Sequence, residues 1–215
     1  MFGHGQFEGF SEKYGMEYRK AYWNEPVDSA LVQRHEHQVC PLLHRRALFA
    51  GVDRFLLYDF FTENGDVNED VFAFSNALGT DRALVVYHNR FADTRGWVRT
   101  SVGFSVKTAQ GRQLVQQTLA QGLDLTPGKE KFVLYRDQIS GLQYIQTCQS
   151  LIENGLYLEL GAYQCRVFLD FQEITDDAAH SYRKVYEHLG GRGVPDIGEA
   201  LKELLLQPVL LPFQQ

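Results

Sequence analysis

Four kinds of side chain in this sequence could do chemistry or bind a ligand, and their spacing decides what each is suited to. Asp66, Glu69 and Asp70 crowd carboxylates into one short stretch. That suggests paired acids or a calcium loop, but the spacing misses the EF-hand pattern. Acids also populate exposed turns because their side chains bond the local backbone, so a solvated hairpin turn is the expected role. Asp176 and Asp177 stand where a helical pattern begins, and they read as capping and dipole-favourable charges rather than catalysts. His35 and His37 would point to different faces of a helix, whereas zinc-binding helices place histidines one turn apart. They read as surface residues.

Cys40, Cys148 and Cys165 lack the CxxC and spaced-histidine patterns of zinc sites, and an odd count makes no disulfide framework. Free, buried thiols in a reducing compartment are expected, with no metal and no cofactor. Met1 to Gly9 holds His4 and Glu8 among glycines rather than a basic start and an apolar run, so no export signal is read and the expected location is cytoplasmic. Trp23, Trp97 and the tyrosines offer flat faces for stacking on pyranose rings, provided that they are exposed and coplanar. With aromatics at 13% of the chain, most belong to the core or its edge.

The elements that must hold these residues follow from pattern. A chain of 215 residues, 44% of them hydrophobic, can bury a sizeable core. Its net charge of −6, without any block of Lys and Arg, excludes the electrostatic footprint of a nucleic-acid binder and suits a neutral or small polar ligand. The apolar runs Leu84 to Tyr87 and Leu204 to Leu211 are too short to span a bilayer, and Pro208 interrupts the second. No membrane partner is expected.

Residues 1–26 read as a loop with one helical turn, opened by the run Gly3 to Gly9. From Asp28 as N-cap, Leu31, Val32, His35, Val39, Leu42, Leu43 and Leu48 follow helical spacing, with a kink or break at Pro41 and an end at Gly51. Phe55 to Phe61, Val71 to Asn76 and Ala83 to Asn89 then read as consecutive antiparallel strands, and Trp97 to Val106 as a further one. Leu114 to Leu123 has helical spacing. Phe132 to Tyr135 reads as a strand, Gln138 to Glu153 is ambiguous, and Leu156 to Leu160 with Cys165 to Phe171 read as a closing hairpin. A helix from Asp176 to His188, a glycine break and an amphipathic helix from Ile197 to Leu206 complete the chain.

Three motifs in order carry a family resemblance. Phe2-Gly3-His4-Gly5-Gln6-Phe7-Glu8-Gly9 resembles the Tyr-Gly-Gln-Glu-Gly-like loop after the last barrel strand of the α-amylase family of glycoside hydrolases, with one extra residue between Gln6 and Glu8. Leu42 to Gly51 resembles the Arg-rich helix end that enters the family's C-terminal β domain. Asp137-Gln138-Ile139-Ser140-Gly141, followed by Leu156 to Leu160 and Ala162 to Phe168, is similar to that domain's final Asp-x-Leu-Thr-Gly and Leu-x-Leu-x-x-Tyr segments.

The resemblance implies an α+β chain. Residues 1–51 would be the terminal loop and helix of a catalytic (β/α)8 barrel, 52–174 an antiparallel β-sandwich-like C-terminal domain, and 175–215 a helical extension. It also implies a parent glycosidase acting on α-glucans, with the missing barrel as packing partner and an α-glucan or oligosaccharide as ligand of the intact protein. Retaining glycosidases of this class cleave between two carboxylates about 5–5.5 Å apart. The family draws these from barrel strands that precede the Gly-Gln loop, so no catalytic residue is assigned here and the chain alone is expected to be inactive. His88-Asn89 does not match the family's His-Asp pair, because Asn stands for Asp and the pair lies in the β region. His4, Gln6 and Glu8 are the candidate substrate-binding residues, since their loop would lie on the barrel's active-site face. A tight turn that only lets the chain close is their structural alternative. A carbohydrate-binding or purely structural β-sandwich module is the competing reading of the whole chain.

Overall fold

The computed structural model describes residues 3, 5–11, 24–109 and 111–210, and the backbone alone of 207–210. The chain divides into two compact units, Met1–Arg46 and Ala47–Gln215.

In the first unit, Asp28 caps α1 (Ser29–Gln38) by accepting the Leu31 N–H at 3.0 Å. This satisfies one of the amides that a helix start leaves orphaned. The expected break falls at Val39, and Pro41 sits in the first turn of α2 (Cys40–His44), where its missing N–H costs nothing. A third short helix, α3 (Arg46–Ala50), crosses into the second unit and buries Leu48 there.

The second unit is built on strands. β1 (Leu56–Thr62), β2 (Val71–Leu78) and β3 (Asp81–His88) run antiparallel, with Leu57 opposite Phe74 and Phe74 opposite Val85. The stretch Trp97 to Val106 is two strands instead of one: β4 (Thr94–Ser101) ends at Val102-Gly103, and β5 (Phe104–Thr108) pairs with β6 (Gly111–Val115) in a separate hairpin. Helical spacing over Leu114 to Leu123 is thus misleading in its first part. Only α4 (Leu119–Gly122) is helical, started by the Thr118–Gln121 capping box. Leu119, Ala120 and Leu123 bury their side chains there.

β7 (Lys131–Asp137), β8 (Gln143–Thr147), α5 (Cys148–Asn154), β9 (Leu156–Leu160) and β10 (Cys165–Thr175) follow. The eight-stranded sheet has the order β8-β7-β10-β3-β2-β1-β4-β9 and is antiparallel throughout. Leu56 and Phe60 of β1, Leu84 and Val86 of β3, Val133 of β7, Leu156, Leu158 and Leu160 of β9 and Phe168 of β10 belong to one buried cluster. Strands far apart in the order therefore face each other, and the sheet curls around a single core.

This arrangement overturns the closing hairpin. β9 pairs with β4, while β10 lies between β3 and β7. The turn 161–164 is an arch that carries the chain from one side of the core to the other. Alternating apolar residues look the same whether two strands share backbone bonds or meet through their side chains, which is why the spacing misleads.

After β10 the helix starts at Ser181 instead of Asp176, with His180 at the N-cap position, but Asp177 accepts the Ser181 N–H at 2.9 Å and Asp176 the Tyr182 N–H at 3.0 Å, so both acids still satisfy first-turn amides of α6 (Ser181–Leu189). Gly190 ends that helix in the left-handed conformation, and α7 (Ile197–Leu210) continues beyond the expected end at Leu206. Val185, Leu189 and Ile197 pack with Phe132 and Ile145 in a second core, so these helices cover the outer face of β7 and β8. Among the described residues no helix is long and apolar enough to cross a membrane.

Candidate functional site

The glycine-rich loop is a tight turn. Gly5 and Gly9 have φ of +69° and +81°, and the Gly5 carbonyl accepts the N–H of both Gly9 and Phe10. A Cβ on Gly5 would lie 2.6 Å from the Phe10 Cβ, and one on Gly9 would lie 3.0 Å from Asp28 and Leu31. Both glycines are thus required by conformation and by space. His4 lies outside the described residues. Gln6 is exposed and its Oε1 accepts the Gly3 N–H at 2.9 Å, while half-buried Glu8 accepts the Asp28 N–H on its carbonyl at 2.9 Å. His35 Nδ1 lies 3.2 Å from the Phe7 carbonyl, and the two rings sit 5.0 Å apart.

Gln6 and Glu8 therefore share one turn docked on α1. The Gln6 amide and the Glu8 carboxylate can exchange hydrogen bonds with hydroxyl groups. The Glu25 carboxylate lies nearby, accepting the Ser11 N–H at 3.0 Å.

The remaining chemistry-bearing residues have structural work. Asp70 pairs with Arg90 at 2.8 Å, and the Asp66 carbonyl closes the β1–β2 turn by accepting the Thr62 N–H. His88 is buried with Nδ1 3.0 Å from the Gly161 carbonyl. Burial, reinforced by the neighbouring Glu173 carboxylate, pushes the Cys148 thiol up to about 12, which removes it as a nucleophile. The cysteines are all free, with Cys148 buried and Cys40 and Cys165 half-buried.

Asp137, the first residue of the Asp-x-Ile-Ser-Gly motif, is fully buried. It accepts the Ile139 N–H at 3.0 Å, the Ser140 hydroxyl at 2.9 Å and the Arg166 guanidinium at 2.7 Å. The motif locks the β7–β8 turn onto β10.

Sequence reasoning passed over one group with metal-ligand character. Donor atoms of Glu130, Asp176 and His180 lie within 4.8 Å of one another. Arg183 approaches Glu130 at 3.3 Å and Asp176 at 4.0 Å, so a guanidinium already supplies positive charge to these acids.

Trp97 is half-buried, with Arg99 4.6 Å from its ring centroid and the Tyr157 ring edge-on at 61°. It does not form a coplanar platform. Trp23 lies outside the described residues. Two aromatics that sequence reasoning did not single out, Phe91 and Tyr163, are the most exposed of the described aromatic side chains, and their positions beside turn residues were the available signal. The amino-acid sequence matches no family model and no curated protein.

Proposed function

We propose that this chain is the C-terminal part of an α-amylase-like glycosidase acting on α-glucans, whose β domain braces a catalytic barrel and which is inactive alone. The observation that carries this reading is the outer face of β1 to β3. There Phe55 is 43% exposed, Leu57 41% and Phe72 51%, with Phe74 against Phe55 at 5.5 Å and opposite Leu57. A contiguous apolar band of this kind marks a surface built to be covered. The order of elements, a glycine-rich turn and helices followed by a curled antiparallel sheet, supports the same reading.

In the intact enzyme, Gln6 and Glu8 would contact sugar hydroxyls on the barrel's active-site face, and the barrel carboxylates would perform the cleavage. A β-sandwich binding module centred on Trp97 is disfavoured, because Arg99 and the tilted Tyr157 occupy the space where a pyranose ring would stack.

The coding sequence upstream of Met1 tests the proposal. A frame that runs on into barrel strands with their acidic residues supports it, and the longer chain should then cleave maltodextrin while this chain does not. A stop codon immediately upstream, with no barrel-encoding neighbour, would overturn it.

A further inference from the structure

The arch 161–164 borders an open cleft of about 590 Å³ that none of the roles above uses. Its lining comes from the paired strands β4 and β9, with Asp93 just before β4, Arg95 and its cross-strand partner Glu159, and from Gln164 and Arg166 at the arch and the start of β10. The walls are held in place. Gln164 Oε1 accepts the Gly161 N–H at 2.7 Å, the Gln164 carbonyl accepts the His88 N–H at 2.9 Å, and the Arg90 carbonyl accepts the Tyr163 N–H at 3.1 Å. Arg95 is anchored by Glu63 at 2.7 Å and Arg166 by Asp137 at 2.7 Å.

Because Arg95 and Arg166 are already paired with Glu63 and Asp137 outside the lining, Asp93 and Glu159 remain as acceptors and the cleft favours a hydroxyl-rich ligand without negative charge. Carboxylates, guanidinium groups and a side-chain amide together can both accept from and donate to hydroxyls. Beside the cleft stand two exposed rings. Phe91 is 83% and Tyr163 57% exposed, with centroids 6.2 Å apart and planes tilted by 38°, so each offers its own face rather than one flat platform, although they come from different loops. Tyr163 adopts φ +53°, a left-handed conformation that a bulky side chain enters at a cost and that glycine adopts freely. A ring displayed at such a position, beside convergent polar groups, suits the apolar faces of a sugar.

We propose that this cleft is a secondary binding site for a neutral oligosaccharide. Phe91 and Tyr163 supply the stacking faces, and Asp93, Glu159 and Gln164 supply the hydroxyl partners. That the oligosaccharide is an α-glucan rests on the reading given under Proposed function.

Calorimetric titration of the full chain with maltoheptaose should show saturable binding with Kd on the order of 1 mM. Tyr163→Gly removes the ring and relieves the backbone, so it should keep the melting temperature and weaken binding at least about tenfold. Phe91→Ala should weaken it similarly without loss of stability. The proposal falls if neither maltoheptaose nor xylohexaose binds, or if binding is undiminished in both variants, and the parent-enzyme reading then stands or falls on its own test. Binding of xylohexaose but not maltoheptaose, lost in both variants, would uphold the sugar site and overturn its α-glucan assignment together with the α-glucan reading of the parent enzyme.

Discussion

Gly5 is the one buried residue described within Met1–Arg46, and neither α1 nor α2 buries a side chain, whereas each of the eight sheet strands places at least one residue in a core. The first unit holds its shape by local devices: a capped helix start, turn hydrogen bonds and glycines in left-handed conformations. The second holds its shape by burial, with each fully buried Leu, Val or Phe contributing about 1.5–3 kcal/mol. Local devices contribute about 1 kcal/mol each, which seldom suffices for short helices without a packed face. The difference shows that the described residues of the two units draw on separate sources of stability, and that those of the first lack the larger one.

The most direct way to break this comparison is hydrogen exchange. Amides of β1 and β3 should open only near the global unfolding free energy, and those of residues 5–11 and α1 should exchange at least about 10³-fold faster. Equal protection would mean that the N-terminal unit has a complete core of its own, and the proposed partner barrel would lose its rationale.

Within the second unit, Asp137→Ala leaves Arg166 without its buried carboxylate and frees the β7–β8 turn. It should cost about 3 kcal/mol in urea unfolding followed by tryptophan fluorescence. The matching change in the first unit, Asp28→Ala, removes a helix cap and should lower the helical circular dichroism signal by about 1 kcal/mol of local stability. The sheet's unfolding midpoint should stay unmoved. A shift of that midpoint would show that the two units unfold together.

The smallest effect is one of pH. A hydrogen bond from Arg54 chiefly holds the Asp124 carboxyl below its ordinary value, with Arg82 assisting and partial burial opposing. A carboxyl lowered in the folded state contributes stability that is present above its unfolded pKa and fades as pH falls through the lower folded value. Because the Asp124 side chain is 42% exposed, the contribution should stay below about 1 kcal/mol. Asp124→Asn should flatten the acid limb of the stability curve by no more than that, and a larger change would indicate a buried role.

Legibility in the sequence followed the range of the interactions. The Asp28 cap, the break near Pro41 and the runs that became β1, β2 and β3 were readable because each depends on neighbours a few residues away. The separation of β9 from β10 was not, because it depends on β4 and β3 competing for their edges from far along the chain. Leu114 misled for the opposite reason: its helical spacing to Leu123 is real only after Thr118, and the partner of β6 is β5. Of the candidate site, Gln6 and Glu8 were legible as one turn, but Phe91 and Tyr163 meet only through the arch, and no local pattern announces that.

The position of β10 also constrains how the molecule is made. On the ribosome, β1 to β4 emerge first and can pair as they appear, and β7 and β8 form a second local hairpin later. β3 and β7 each keep an open edge until β10 arrives and fills the gap between them, aligning Arg166 with Val86 and Glu173 with Val133. The nascent chain therefore carries the adhesive edge of β3 unpaired from His88 onward, joined by that of β7 from Asp137, until β10 begins at Cys165. A chain cut at residue 164 should not be a smaller domain but an aggregating one, so stalled translation before β10 is the stage at which this protein most needs a chaperone.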